Sequence, residues 1–253
     1  MNPSLRKLYV VELRRQWSLL LPIVPVALGG IVYLISAPWN PMRPTFDVVR
    51  TTYIASTTFL VPMLIPLFFT GMVASDVKDG WLRTLLIRPV SRQQYLTMRM
   101  LAALTAGLAG TFIAGAIPVE IAAHVSGKPI VRDWVLLLEV YGMVVCQAIL
   151  LGGILAFLSC WLPGVGNVVI LFLWYTTASL LAEYLQVKFW SNKWLTVAGE
   201  FIFPHGFVNA GSAIVSGAPF PWEHLLWGLA SASAFLSLAY WSVNRIEVDK
   251  GAD

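Results

Sequence analysis

The chain has 253 residues, of which 58% are hydrophobic and 12% charged, with a net charge of +4 and a mean hydropathy of +0.73. A soluble domain carries about 25% charged residues, so the composition excludes an ordinary soluble globular protein and implies a polytopic membrane protein. The two cysteines, Cys146 and Cys160, fall in or near one apolar run and imply no disulfide framework.

Residues 1–16 form an amphipathic segment. Leu5, Leu8, Tyr9 and Leu13 share a face, while Arg6, Lys7, Arg14 and Arg15 supply charge. The segment reads as a basic helix on the inner membrane surface, or as the basic flank of a first span. Six apolar runs follow, at 17–36, 53–75, 96–118, 134–159, 166–185 and 222–243. Each is near the ~20 residues that cross a bilayer. No cleavable signal is evident, because the first run is itself long enough to span and a charged segment precedes it. Pro22, Pro25, Pro62 and Pro66 lie inside the first two runs. Neighbouring helices can satisfy the carbonyls that prolines free, so kinked first and second helices are expected.

Between the second and third runs lies the one long polar interruption crowded with basic residues, 76–99. Trp81, Leu82, Leu85 and Leu86 fall on one side of a short helix, with Arg83 and Arg88 elsewhere on it. Pro89 ends that helix, because the residue before a proline is pushed out of the α region. Ser91 then caps a new helix, and Gln94 completes a capping box, with Val90 and Tyr95 placed as a hydrophobic staple. A short apolar-faced helix here either docks on a partner or lies on lipid headgroups.

In the third and fourth runs, Ala103, Gly107, Gly110, Gly152 and Gly153 let helix backbones approach closely, as packing within one subunit rather than a dimer contact. The stretch 187–221 is too long for a turn and too apolar for a flexible loop. Trp190, Trp194, Phe201, Phe203, Phe207 and Phe220 alternate with Gly199, Pro204, Gly206, Gly211 and Gly217. It reads as two short helices dipping into the outer leaflet, broken at Pro204, His205 and Gly206, or as an aromatic interfacial anchor.

Lys and Arg set the orientation. With the N-terminus inside, Arg6, Lys7, Arg14, Arg15, Lys78, Arg83, Arg88, Arg92, Arg99, Arg245 and Lys250 are cytosolic. Only Arg43, Arg50, Lys128, Arg132, Lys188 and Lys193 lie on the outer side. The bias places both termini in the cytosol.

The 76–99 stretch resembles the loop between the second and third spans of type 2 ATP-binding-cassette exporter permeases. The matching positions are Asp76, Gly80, Leu82, Leu85, Leu86, Pro89, Val90, Ser91, Arg92 and Arg99. Trp81 stands where the family has a small hydroxyl residue, and Arg99 where it has Lys. Residues 10–17 also resemble the family's connecting helix. The resemblance implies an all-α fold with six transmembrane helices in a single permease domain over 1–253. It implies an N-terminal interface helix bearing Arg6, Lys7, Arg14 and Arg15, and a re-entrant hairpin at 187–221. It also implies a coupling helix within 76–95 that sits in a groove of an ATPase subunit. Asp76, Gly80, Trp81, Leu82, Arg83, Leu85, Leu86, Pro89, Ser91 and Arg92 would form that interface. The implied partners are two copies of a cytosolic ATPase, a second permease subunit that is identical or a close homologue, and the bilayer of the cytoplasmic membrane, with no nucleic acid.

The chain carries no G-x-x-x-x-G-K-[ST], H-E-x-x-H or G-x-S-x-G. No catalytic, cofactor or metal site is therefore expected, and ATP and magnesium belong on the partner ATPase. His124, His205 and His224 lie on three different segments without ligand spacing. Glu120, Glu139 and Glu183 lie toward outer span ends. No acidic residue falls near the middle of a run, which argues against a proton-coupled secondary transporter. A membrane assembly factor driven by an ATPase partner remains the other reading of the same features.

Overall fold

The computed structural model describes residues 3–17, 20–21, 23–25, 27–29, 61–70, 72–80, 90–118, 121, 124, 134–162, 165–174, 177, 184, 194, 197, 206–217 and 219–246. Its principal helices are α1 (Pro3–Trp17), α2 (Val61–Phe69), α3 (Met72–Lys78), α4 (Arg92–Thr111), α5 (Trp134–Ser159), α6 (Gly206–Val215) and α7 (Trp222–Arg245). Among the described residues there is no strand. A π-helical turn, Phe112–Ala116, continues α4. Among the described residues, three helices are long and apolar enough to cross a membrane: Arg92–Ala116, Tyr141–Ser159 and Trp222–Arg245. The chain is therefore an all-helical membrane protein among its described residues.

Local chemistry explains the element boundaries around the polar stretch. Gly80 takes a φ of 68°, the left-handed conformation that stops a helix and suits glycine best. Its N–H bonds the carbonyl of Val77, and the N–H of Asp79 bonds that of Ser75. At α4 the capping box is complete: the Gln94 N–H donates to Ser91 Oγ at 3.2 Å, and the Ser91 N–H donates to Gln94 Oε1 at 3.1 Å.

α4 is the helix around which the others gather. A Cβ added at Gly107 would come within 2.6 Å of Ile65 Cδ1, and one at Gly110 within 2.7 Å of Ile23 Cδ1. One at Gly152 would meet the Phe69 ring at 2.9 Å and Leu104 at 3.2 Å. These glycines thus let α2, the residues after α1, and α5 pack closely on one another and on α4. Their neighbours are the chain's own side chains. At the end of α4 remote from its cap, the Phe112 and Tyr141 rings lie 6.1 Å apart. At the capped end, Thr97 Oγ1 and the Tyr240 hydroxyl are 2.8 Å apart, and Trp161 Nε1 donates to Ser242 Oγ at 3.1 Å. The finish of α3, the start of α4, and the finishes of α5 and α7 therefore meet at one end of the bundle. α4 runs antiparallel to α5 and α7.

The outward side of α7 is apolar: Trp222, Leu226, Leu229, Leu238 and Trp241 are all exposed. Such a surface suits hydrocarbon, with tryptophans near both ends of the helix as at membrane interfaces. In the 187–221 stretch, α6 is helical and ends before Gly217, which has a φ of 79°. Pro204 and His205 lie outside the described residues, and Gly206 begins α6.

Candidate functional site

The site is a buried group of charges at the capped end of α4. Tyr95 and Arg99 are four residues apart and so share a face of that helix. Opposite them, α3 presents Asp76 one turn before it ends at Gly80. α1 presents Glu12 and Arg15. Asp76, Arg99 and Glu12 are almost wholly inaccessible, with side-chain exposures of 0%, 5% and 1%.

Arg99 joins all three helices. Its Nε donates to Asp76 Oδ2 at 3.0 Å, and its Nη2 to Asp76 Oδ1 at 2.9 Å. This is the two-pronged guanidinium–carboxylate pairing that arginine makes and lysine cannot. Nη2 also reaches the Met72 carbonyl at 3.2 Å, and Nη1 donates to Glu12 Oε2. Asp76 accepts two further bonds, one from the Tyr95 hydroxyl and one from Arg15 Nη1 at 3.1 Å. Two carboxylates face two guanidiniums, so the group is neutral in sum. That balance is what makes burying three of these charged groups tolerable. Arg15 is 48% exposed and holds its end of the network from the rim.

Glu12 is the strained member. Its Oε1 is buried without a hydrogen-bond partner, as is Gln16 Oε1 one turn along the same face. Burial pushes the Glu12 carboxyl above its usual 4.5; Arg99 pulls the other way and Asp76 adds to the rise. A raised carboxyl favours the folded state in its protonated form. That contribution is complete below 4.5 and is lost as pH rises through the folded value. Glu12→Gln fixes the neutral form and adds amide donors. It is expected to be at least as stable as the native chain at neutral pH, with a flatter pH dependence above 4.5. Thermal unfolding of both proteins across that range checks this. A variant that unfolds more readily at neutral pH and keeps the native slope would contradict it.

A second set of contacts fixes the start of α4. Arg92 Nη1 donates to the carbonyls of Asn244 at 2.9 Å and Ile246 at 2.7 Å. These belong to the C-terminal end of α7, where carbonyls lack helical partners and the helix dipole favours a cation. Arg245 in turn lies over the Trp241 ring, 4.2 Å from its centroid.

Of the residues singled out in the sequence as an ATPase interface, the structure brings Asp76 into the charge group. Gly80 stops α3, Ser91 caps α4, and Arg92 is directed onto α7. Trp81, Leu82, Arg83, Leu85, Leu86 and Pro89 lie outside the described residues. On α1, Arg15 joins the network, while Arg6, Lys7 and Arg14 are exposed. Sequence reasoning did not single out Glu12. Its signal was position: it lies on the stripe of Leu5, Leu8, Tyr9 and Leu13, where a carboxylate needs a buried partner. Tyr95, read as a packing residue, also serves Asp76 through its hydroxyl.

The group has the character of a joint. Its charges are paired with one another, and it ties the end of α3 to the start of α4. No protein-family model and no curated protein matches this chain.

Proposed function

We propose that the chain is the membrane-spanning permease subunit of an ATP-driven exporter in the cytoplasmic membrane. In this reading two permease subunits line the pathway, and a separate ATPase docks beneath each, binding ATP and magnesium. Six spans, two cytosolic termini, a coupling helix in 76–95 and a hairpin over 187–221 belong to it. The observation that carries the reading is the closure of the 76–99 stretch by Asp76 and Arg99. The segment that resembles a coupling loop is thereby tied by buried charges to three helices, at the bundle end where α5 and α7 also finish. A docked ATPase moving that loop would move the helices with it. The same observation weakens the secondary-transporter reading. Arg99 lies seven residues into α4, about 10 Å along its axis, and its charges are neutralised near one end of the helix. A proton- or ion-coupled carrier places its titrating groups near the midplane.

Two measurements test the reading's separate parts. The chain purified free of any partner should neither bind nor hydrolyse ATP, since it has no phosphate-cradling loop; hydrolysis by the chain alone would overturn the subunit assignment. For the orientation, single cysteines at Ser126 and Ser191 should react with an impermeant thiol reagent added outside intact cells, and one at Ser91 should not. Labelling at Ser91 from outside would reverse the topology.

A further inference from the structure

Two acceptors of the α1–α4 joint have no donor, and they are neighbours. Glu12 Oε1 and Gln16 Oε1 are both buried without a hydrogen-bond partner. Their residues are 1% and 4% exposed and stand four apart on α1, so their side chains meet on one face of the helix. That face is turned into the bundle. The Tyr9 hydroxyl donates to Thr105 Oγ1 at 3.1 Å, and one turn further along α1 Glu12 Oε2 accepts from Arg99. α1 therefore runs antiparallel along α4, with Gln16 toward the capped end.

The groups that face Glu12 spend their hydrogens elsewhere. Arg15 on α1 and Tyr95 on α4 donate to Asp76 of α3. Arg99 on α4 donates to Asp76, to the Met72 carbonyl and to the other oxygen of Glu12. The buried charges have the same gap. Arg15 is half-exposed, so inside the joint Asp76 and Glu12 stand against Arg99 alone. One proton closes both gaps. Placed on Glu12 Oε1 it turns an acceptor into a donor, and Gln16 Oε1 is the acceptor that donor needs. It also leaves a neutral Arg99–Asp76 pair beside a neutral acid, which lowers the cost of burial. The rise of the Glu12 carboxyl above 4.5, driven first by burial, runs in the same direction.

We propose that Glu12 and Gln16 form a proton-binding site in the α1–α4 joint, in which Glu12 Oε1 takes up one proton and donates it in a hydrogen bond to Gln16 Oε1. Glu12 Oε2 keeps its bond from Arg99, so no existing contact has to break. Proton uptake seats α1 against α4, and proton loss leaves a buried carboxylate oxygen facing an amide oxygen. Gln16 is the positioning residue of the site. The proposal needs no ATPase, so it stands or falls separately from the exporter reading.

The test is infrared spectroscopy of the full-length chain in detergent across pH. Each chain is subtracted from its own Glu12→Gln counterpart, which isolates the carbonyl stretch of protonated Glu12 from the other acids. In the native chain that band should titrate with a midpoint above 4.5 and shift in D2O. Gln16→Leu should weaken proton affinity on the order of tenfold and move the midpoint down, because a hydrogen bond to the protonated form is lost. Gln16→Met serves if the leucine variant does not accumulate, and if neither does, the native band decides. Thermal unfolding should follow the spectra: the native chain loses stability as pH rises through its midpoint, and the Gln16 variant begins that loss at lower pH. A native midpoint at or below 4.5 overturns the proposal, because the two oxygens would then take their donors from outside the chain. So does a Gln16 variant whose midpoint stays or rises, because Gln16 would then only fill space or donate to the ionised carboxylate.

Discussion

Replacing Arg99 with Met is expected to cost about 3–5 kcal/mol of stability, because it strands two buried carboxylates. Asp76 would keep the Tyr95 hydroxyl and the half-exposed Arg15. Glu12 would keep no hydrogen bond, since Oε2 is bonded to Arg99 and Oε1 has no partner, and only the field of Arg15 would remain. The helix joint would then come apart on the α1 side first. Arg99→Lys should fall between the native chain and Met: it keeps the positive charge but cannot span both oxygens of Asp76 and also reach Met72 and Glu12. Removing the carboxylates as well, with Glu12→Gln and Asp76→Asn in the Met background, should recover most of the loss, since an apolar or neutral replacement of a whole buried charge group is often harmless. Thermal unfolding of the solubilised proteins, with the yield of folded protein from membranes, reads all three. An Arg99→Met chain as stable as the native one would show that the charges contribute nothing to holding α1, α3 and α4 together.

If the exporter reading holds, Leu82→Glu or Leu85→Glu should separate the chain from the proposed ATPase without disturbing its insertion. Both leucines lie outside the described residues, and the expectation rests on their shared helical face in the sequence. If that face sits in a protein groove, a carboxylate placed there is buried unpaired, at a cost of at least ~2 kcal/mol. At about 1.4 kcal/mol per tenfold, affinity falls by more than an order of magnitude. Arg83→Glu, off the apolar face, should cost less. The variants should reach the membrane at native abundance, retain no ATPase on purification and support no export. Full retention in both leucine variants would make the helix a lipid-surface anchor.

Local signals were legible in the sequence where chemistry and structure are neighbours. Ser91 and Gln94 announce the start of α4 because a capping box is decided within one turn. Gly80, read in the sequence only as a position of the loop resemblance, ends α3 because few other residues accept its left-handed backbone. Gly107, Gly110 and Gly152 could be read as close-packing positions, though not which side chains fill the space they leave. The charge group was out of reach because its partners are distant in sequence: Glu12 and Arg99 are 87 residues apart. Before α1 is known to pack on α4, Arg99 counts only toward orientation and the loop resemblance, and Glu12 only as one acid in a basic segment. Arg92 shows the same limit. Its place beside the capping box suggests a surface role, while its bonds to Asn244 and Ile246 depend on where α7 ends.

The most direct test of the central claim is the subunit composition and ATPase activity of the full-length chain, affinity-purified from its own membrane in mild detergent. The exporter reading predicts a P-loop ATPase in the particle, two copies of it beneath two permease subunits that are identical or homologous, and ATP hydrolysis that disappears from the preparation when Leu82 is changed to Glu. A preparation of native chain that is folded and holds no P-loop ATPase, or one whose ATPase stays bound and active in both the Leu82→Glu and Leu85→Glu chains, would contradict it.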